Sequence, residues 1–110
     1  MTGTPKVWIG VLRVGLVLHG VRSLKERRRI VHSLRDKLRA RFDISCHEVG
    51  DADVHQRAWL ALVTVGGDAQ VVQSVLDRVR SYVSGLGDLW IADLTAEVLP
   101  WHPGLLIGGE

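Results

Sequence analysis

The chain has 110 residues, 46% of them apolar, with 14 Lys/Arg against 12 Asp/Glu for a formal charge of +2. This is the size of one globular domain with enough apolar side chains for a real core. No apolar run approaches the roughly 20 residues that span a bilayer, and the N-terminus lacks the charged, apolar and cleavage regions of a secretory signal, so a cytoplasmic protein with no membrane partner is expected. The single cysteine, Cys46, excludes an internal disulfide and a thiolate-rich metal site.

From Val7 to Leu18 the chain is rich in Val, Ile and Leu and reads as a long strand. Leu12, Val14, Leu16 and Leu18 share the better core face, while Val11, Arg13, Gly15 and Val17 share the other. Gly20 marks a turn. Ser23 with Glu26 three residues on has the spacing of a capping box, which predicts a helix beginning at Leu24. At 100° per residue, Leu24, Ile30, Val31, Leu34 and Leu38 fall in one arc, bordered by Arg28, His32, Arg35 and Arg39. Phe42-Asp43 ends this helix. Residues 44–49 read as a second strand, 50–53 as a turn and 57–65 as a third strand, in which Trp59, Ala61, Val63 and Val65 alternate with Ala58, Leu60, Leu62 and Thr64. Gly66-Gly67 breaks that strand, Asp68 is a natural cap for a helix to about Ser84, and Gly85 and Gly87 stop it. A last strand over 89–99 sets Trp90, Ala92, Leu94, Ala96 and Val98 against Ile91, Asp93, Thr95 and Glu97, before Pro100 and Pro103 open an irregular tail.

The order strand, helix, strand, strand, helix, strand, with right-handed crossovers, predicts an α+β fold. It is the ferredoxin-like βαββαβ sandwich, with a four-stranded antiparallel sheet and two helices on one face. A single domain over residues 1–110 is expected, with its core at 7–99 and the tail at 100–110.

Charge is unevenly spread along this pattern. Residues 22–41 hold nine Lys/Arg against Glu26 and Asp36, a net of about +7, and the rest of the chain is about −5. Such a segregated field draws anions, and a helix bearing cations at helical spacing is suited to track a nucleic-acid backbone without reading bases. The candidate nucleic-acid-binding residues are Lys25, Arg28, Arg29, His32, Arg35 and Arg39. The competing account is a solvated helix face whose charges are balanced by acids elsewhere on the protein or in a dimer mate.

Four short segments then point the same way. Gly-Val-Leu-Arg at 10–13, Ser-Leu-Lys-Glu-Arg-Arg-Arg at 23–29, Glu-Val-Gly-Asp at 48–51 and Gln-Arg-Ala at 56–58 together resemble the YlxP-like family, small bacterial proteins grouped under a domain of unknown function. The resemblance spans roughly residues 7–99. It implies a ferredoxin-like fold and a gene commonly near those for translation initiation and small-subunit ribosome maturation, hence RNA or the ribosome as partner. It supplies no reaction and no catalytic residues. The chain departs from the pattern at His55, where relatives often carry Trp, and in its extension 101–110.

Other residues carry weaker signals. Arg27 falls inside the apolar arc, which predicts a stem packed on the core and a guanidinium reaching the sheet edge toward an acid such as Asp51 or Asp53; the alternative makes it a ligand-facing group. His47, Glu48, Asp51, Asp53 and His55 surround one hairpin, but their spacing matches no metal motif, so no metal or other cofactor is assigned. Gly66-Gly67-Asp68 lacks the lysine and hydroxyl of a phosphate loop, and Asp68 would itself occupy the helix amides. Trp59 and Trp90 are expected among the residues facing the helices, which leaves stacking on exposed aromatics out of the reading. Cys46 reads as a small buried residue.

The sheet face away from the helices is then expected to present Val11, Arg13, Val17, Leu60, Leu62 and Ile91, an apolar centre with a polar rim. A homodimer, sheet against sheet or edge against edge, would bury it; a partner protein, a small ligand, or the tail folding back through Trp101, Leu105 and Leu106 are the alternatives. No catalytic constellation can be assembled. A non-enzymatic binding protein is expected.

Overall fold

The computed structural model describes residues 3–103, with the exception of Asp53, His55 and Asp88. Its elements are β1 (Trp8–Val17), α1 (Leu24–Arg41), β2 (Ser45–Val49), β3 (Arg57–Gly66), α2 (Ala69–Ser84) and β4 (Trp90–Pro100). The four strands form one antiparallel sheet in the order β2-β3-β1-β4. The two crossover connections are the helices, so the topology is βαββαβ, as the sequence pattern predicts.

Each helix starts where a short polar side chain can take up a free amide. The Ser23 hydroxyl accepts from the Glu26 amide at 3.1 Å, and the Asp68 carboxylate accepts from the Gln70 amide at 2.8 Å. Asp68 is thus a cap, and it sits on the amides that a phosphate would need. Val31, Leu34 and Leu38 of α1 and Leu76, Val79 and Val83 of α2 pack in one cluster with Leu12, Val14 and Leu16 of β1, so both helices lie on the same sheet face. Leu24, at the end of its arc, stays exposed.

The β3 faces are the reverse of the sequence-based expectation. Leu60 and Leu62 are 0% and 2% exposed. They stand opposite Val14 and Leu12, and directly opposed residues of an antiparallel pair share a face, so the β1 register carries them into the core. Trp59, Ala61, Val63 and Val65 take the uncovered face instead.

Ile91 is corrected for a different reason. The β1–β4 register shifts between Gly15 and Leu16, so that Gly15 opposes Asp93 while Leu16 opposes Ile91, and Ala92 is the extra residue of a β-bulge. The bulge breaks the period of two. Asp93, Thr95 and Glu97 stay on the uncovered face, Ile91 turns to the core beside Leu16, and Trp90 emerges 63% exposed. Val11, Arg13 and Val17 lie on the uncovered side as expected.

No helix among the described residues is long and apolar enough to cross a membrane.

Candidate nucleic-acid interface

Eighteen residues make α1 about 27 Å long, enough to present five turns of side chains. Its cations do not form one uniform stripe. They divide by what they already hold.

Arg27 is consumed by the fold. Its side chain is 3% exposed and its Nε and Nη2 donate to the Arg57 carbonyl at 3.2 and 2.9 Å, with Nε also donating to the Val54 carbonyl. Nη2 lies 2.7 Å from Glu48 Oε2, a close charge–charge contact without hydrogen-bond alignment. The partner acid is therefore Glu48 on β2, where Asp51 or Asp53 was expected, and the guanidinium is buried rather than reaching the edge. Asp53 lies outside the described residues.

Arg39 is also engaged. Its Nε donates to the Cys46 carbonyl at 2.9 Å, Nη2 reaches the same oxygen, and Nη2 lies 3.2 Å from His47 Nδ1. Since β2 is an edge strand, this caps a backbone acceptor that faces away from the sheet. Arg35 pairs with its neighbour Asp36 at 2.9 Å, and that hydrogen bond holds the Asp36 carboxyl below its ordinary value.

The remaining site residues come together. Lys25, Arg28, Arg29 and His32 line one open depression of about 550 Å³ on the solvent side of α1, with Ser23 and Glu26 at its start. None of Arg22, Lys25, Arg28 and Arg29 pairs with an acid among the described residues. Arg41 at the far end lies over the Tyr82 ring, 4.6 Å from its centroid. What such a surface can do chemically is hold phosphates as a set of flexible point charges and forks.

Among the described residues no three His, Cys, Asp or Glu side chains converge, and of the polar hairpin His55 and Asp53 lie outside them. Burial pushes the Cys46 thiol up, with Arg39 and Arg35 opposing, and the residue is 0% exposed, which suits a core side chain. On the uncovered sheet face Arg13 pairs with Asp93 at 3.0 Å and lies 5.3 Å from the Trp59 ring centroid. That hydrogen bond, with a second from Thr95, keeps the Asp93 carboxyl low. Around them Val11, Val49, Val63 and Val65 are exposed.

Sequence reasoning missed one exposed aromatic. Trp90 makes an edge-to-face contact with His19 at 5.0 Å, beside a depression at the end of the sheet. No residue pattern signals the bulge that frees it.

Comparison with known proteins places the chain without assigning it a task. No curated protein matches it. Among solved structures it is similar to the de novo designed protein Foldit4, at 10% identity and a TM-score of 0.48, covering 87% of this chain and 97% of that one. Nothing about function follows from that likeness. The family model described as "Protein of unknown function (DUF503)" matches residues 9–96, from the first strand through the fourth, and the chain belongs to that family.

Proposed function

We propose that the protein is a small non-enzymatic cytoplasmic binding protein of the YlxP-like group, which associates with RNA or the ribosome through the basic surface of α1. One observation carries this reading. Lys25, Arg28 and Arg29 share an open depression and have no acidic partner among the described residues, so no direct ion pair there neutralises these three cations. Arg35 and Arg39 contribute less, because Asp36 and the Cys46 carbonyl already hold them.

The test is binding of a labelled RNA, and cosedimentation with ribosomal subunits, at about 50 and about 200 mM salt. Wild-type affinity should fall steeply with salt. The triple variant Lys25→Gln/Arg28→Gln/Arg29→Gln should flatten the slope of log K against log salt by about 2, at roughly 0.7 per lost phosphate contact to a single strand. Unchanged binding by the triple variant would sink the proposal.

A second reading is favoured by the uncovered sheet face. Val11, Val49, Val63 and Val65 make it more apolar than a solvated sheet face, and a homodimer burying it is compatible with RNA binding on α1, which lies on the opposite side.

A further inference from the structure

Three neighbouring depressions on the surface share lining residues. The basic depression on α1 includes Arg29, and Arg29 also lines the next one, of about 280 Å³, between α1 and the connection from α2 to β4. Ile30 and Leu89 line that second depression and also a third, of about 240 Å³, whose lining includes Trp90 and His19. A path therefore leads from cations with no acidic partner among the described residues, along the apolar side chains of Ile30 and Leu89, to a largely exposed indole in edge-to-face contact with a histidine ring.

We infer that this path is a binding groove for single-stranded RNA, in which the α1 cations hold the backbone and Trp90 stacks on a base. The inference rests on the α1 reading above and adds the form of the RNA. Two features argue for a single strand. A duplex keeps its bases stacked inside and offers phosphates and hydroxyls, for which an exposed indole has no use. Proteins that hold single strands combine a positively charged groove with aromatic side chains, because every base has a face to stack. The indole is available for this because the Ala92 bulge turns it out of the core, and the T-shaped contact with His19 leaves the residue 63% exposed.

The experiment is fluorescence anisotropy of labelled oligouridine, about twelve nucleotides long, and of an RNA duplex of the same length, titrated with the full chain at low salt. Trp90→Ala should bind oligouridine about 5- to 150-fold more weakly, the effect of losing one base–aromatic stack. Trp90→Phe should retain most of the affinity, and Trp101→Ala, whose indole is exposed outside the groove, should bind as wild type. Far-UV circular dichroism of each variant establishes that the loss is not unfolding. If Trp90→Ala binds oligouridine like wild type while Lys25→Gln/Arg28→Gln/Arg29→Gln does not, stacking is wrong and the basic-helix reading stands. Duplex binding without oligouridine binding likewise overturns the single-strand groove and leaves the basic helix in place. If the wild type binds neither RNA, both fall.

Discussion

Arg27 shows how one side chain can be fully spent on structure within a basic motif. Its guanidinium serves the carbonyls of Val54 and Arg57 and the carboxylate of Glu48, tying the first turn of α1 to both ends of the loop between β2 and β3. Removing it leaves a carboxylate desolvated and unpaired, so Arg27→Met should destabilise the protein by about 3–5 kcal/mol, measured as a lower urea midpoint. The double variant Arg27→Met/Glu48→Met removes the orphaned charge but not the need of the two carbonyls, each worth about 1–3 kcal/mol if left unsatisfied. It should fall between the single variant and wild type. A double variant as stable as wild type would show that the ion pair, rather than the loop anchoring, is what matters. Arg27→Lys is expected to rescue little, because an ammonium cannot reproduce the planar fork. The helical angle of Arg27 was enough to predict that it turns inward. Its partner was not, since choosing among Glu48, Asp51 and Asp53 requires the geometry of the hairpin.

Helix-on-sheet packing depends on a glycine at the point of closest approach. A Cβ added at Gly10 would lie 2.6 Å from Val72 Cγ1 and 3.1 Å from Leu76 Cδ1, so α2 sits directly on β1 there. Gly10→Ala should therefore cost about 1–3 kcal/mol through overpacking. Gly67→Ala, with nothing within 4 Å of the added carbon, should change stability by no more than about 0.5 kcal/mol, and chemical denaturation of both variants checks the contrast. At this scale the sequence was legible wherever a period or a cap speaks: α1 begins at Leu24 behind Ser23, and α2 ends at Ser84 before Gly85, as predicted. It was legible in the alternation of β1, whose Leu12, Val14 and Leu16 are buried as predicted, but not in the faces of β3 or the start of β4. Residues 57–66 are apolar on both sides, so only the pairing of Leu62 with Leu12 decides which side is buried, and the bulge at Ala92 carries no glycine to announce it. The same limits apply to the candidate site. Helical spacing aligns Arg28 and His32 with Arg35 and Arg39 and sets Lys25 and Arg29 farther around the exposed side, whereas the capture of Arg39 by the Cys46 carbonyl and the release of Trp90 depend on contacts between distant segments.

For the whole molecule the open question is the bare side of the sheet. Both helices cover one face, and the other displays Val11, Val63 and Val65 around Ala61, with Arg13, Asp93, Thr95 and Glu97 toward the β4 side. Strands of 10, 5, 10 and 11 residues, at about 3.4 Å per residue and about 4.8 Å apart, make a footprint of roughly 600 Å². Two such faces give about 1,200 Å² in all, the low end of specific interfaces, so a face-to-face dimer should be reversible. Pairing through the β2 edge is less favoured, because Arg39 already occupies an outward carbonyl of that strand. Sedimentation equilibrium at tens of micromolar should then reveal a monomer–dimer exchange. Val63→Lys/Val65→Lys should abolish it while leaving the circular dichroism spectrum intact, since Val65 is 66% exposed and neither valine belongs to the core. A wild-type chain that sediments as a monomer throughout that range would remove the dimer and leave α1 as the surface on which the protein's function must turn.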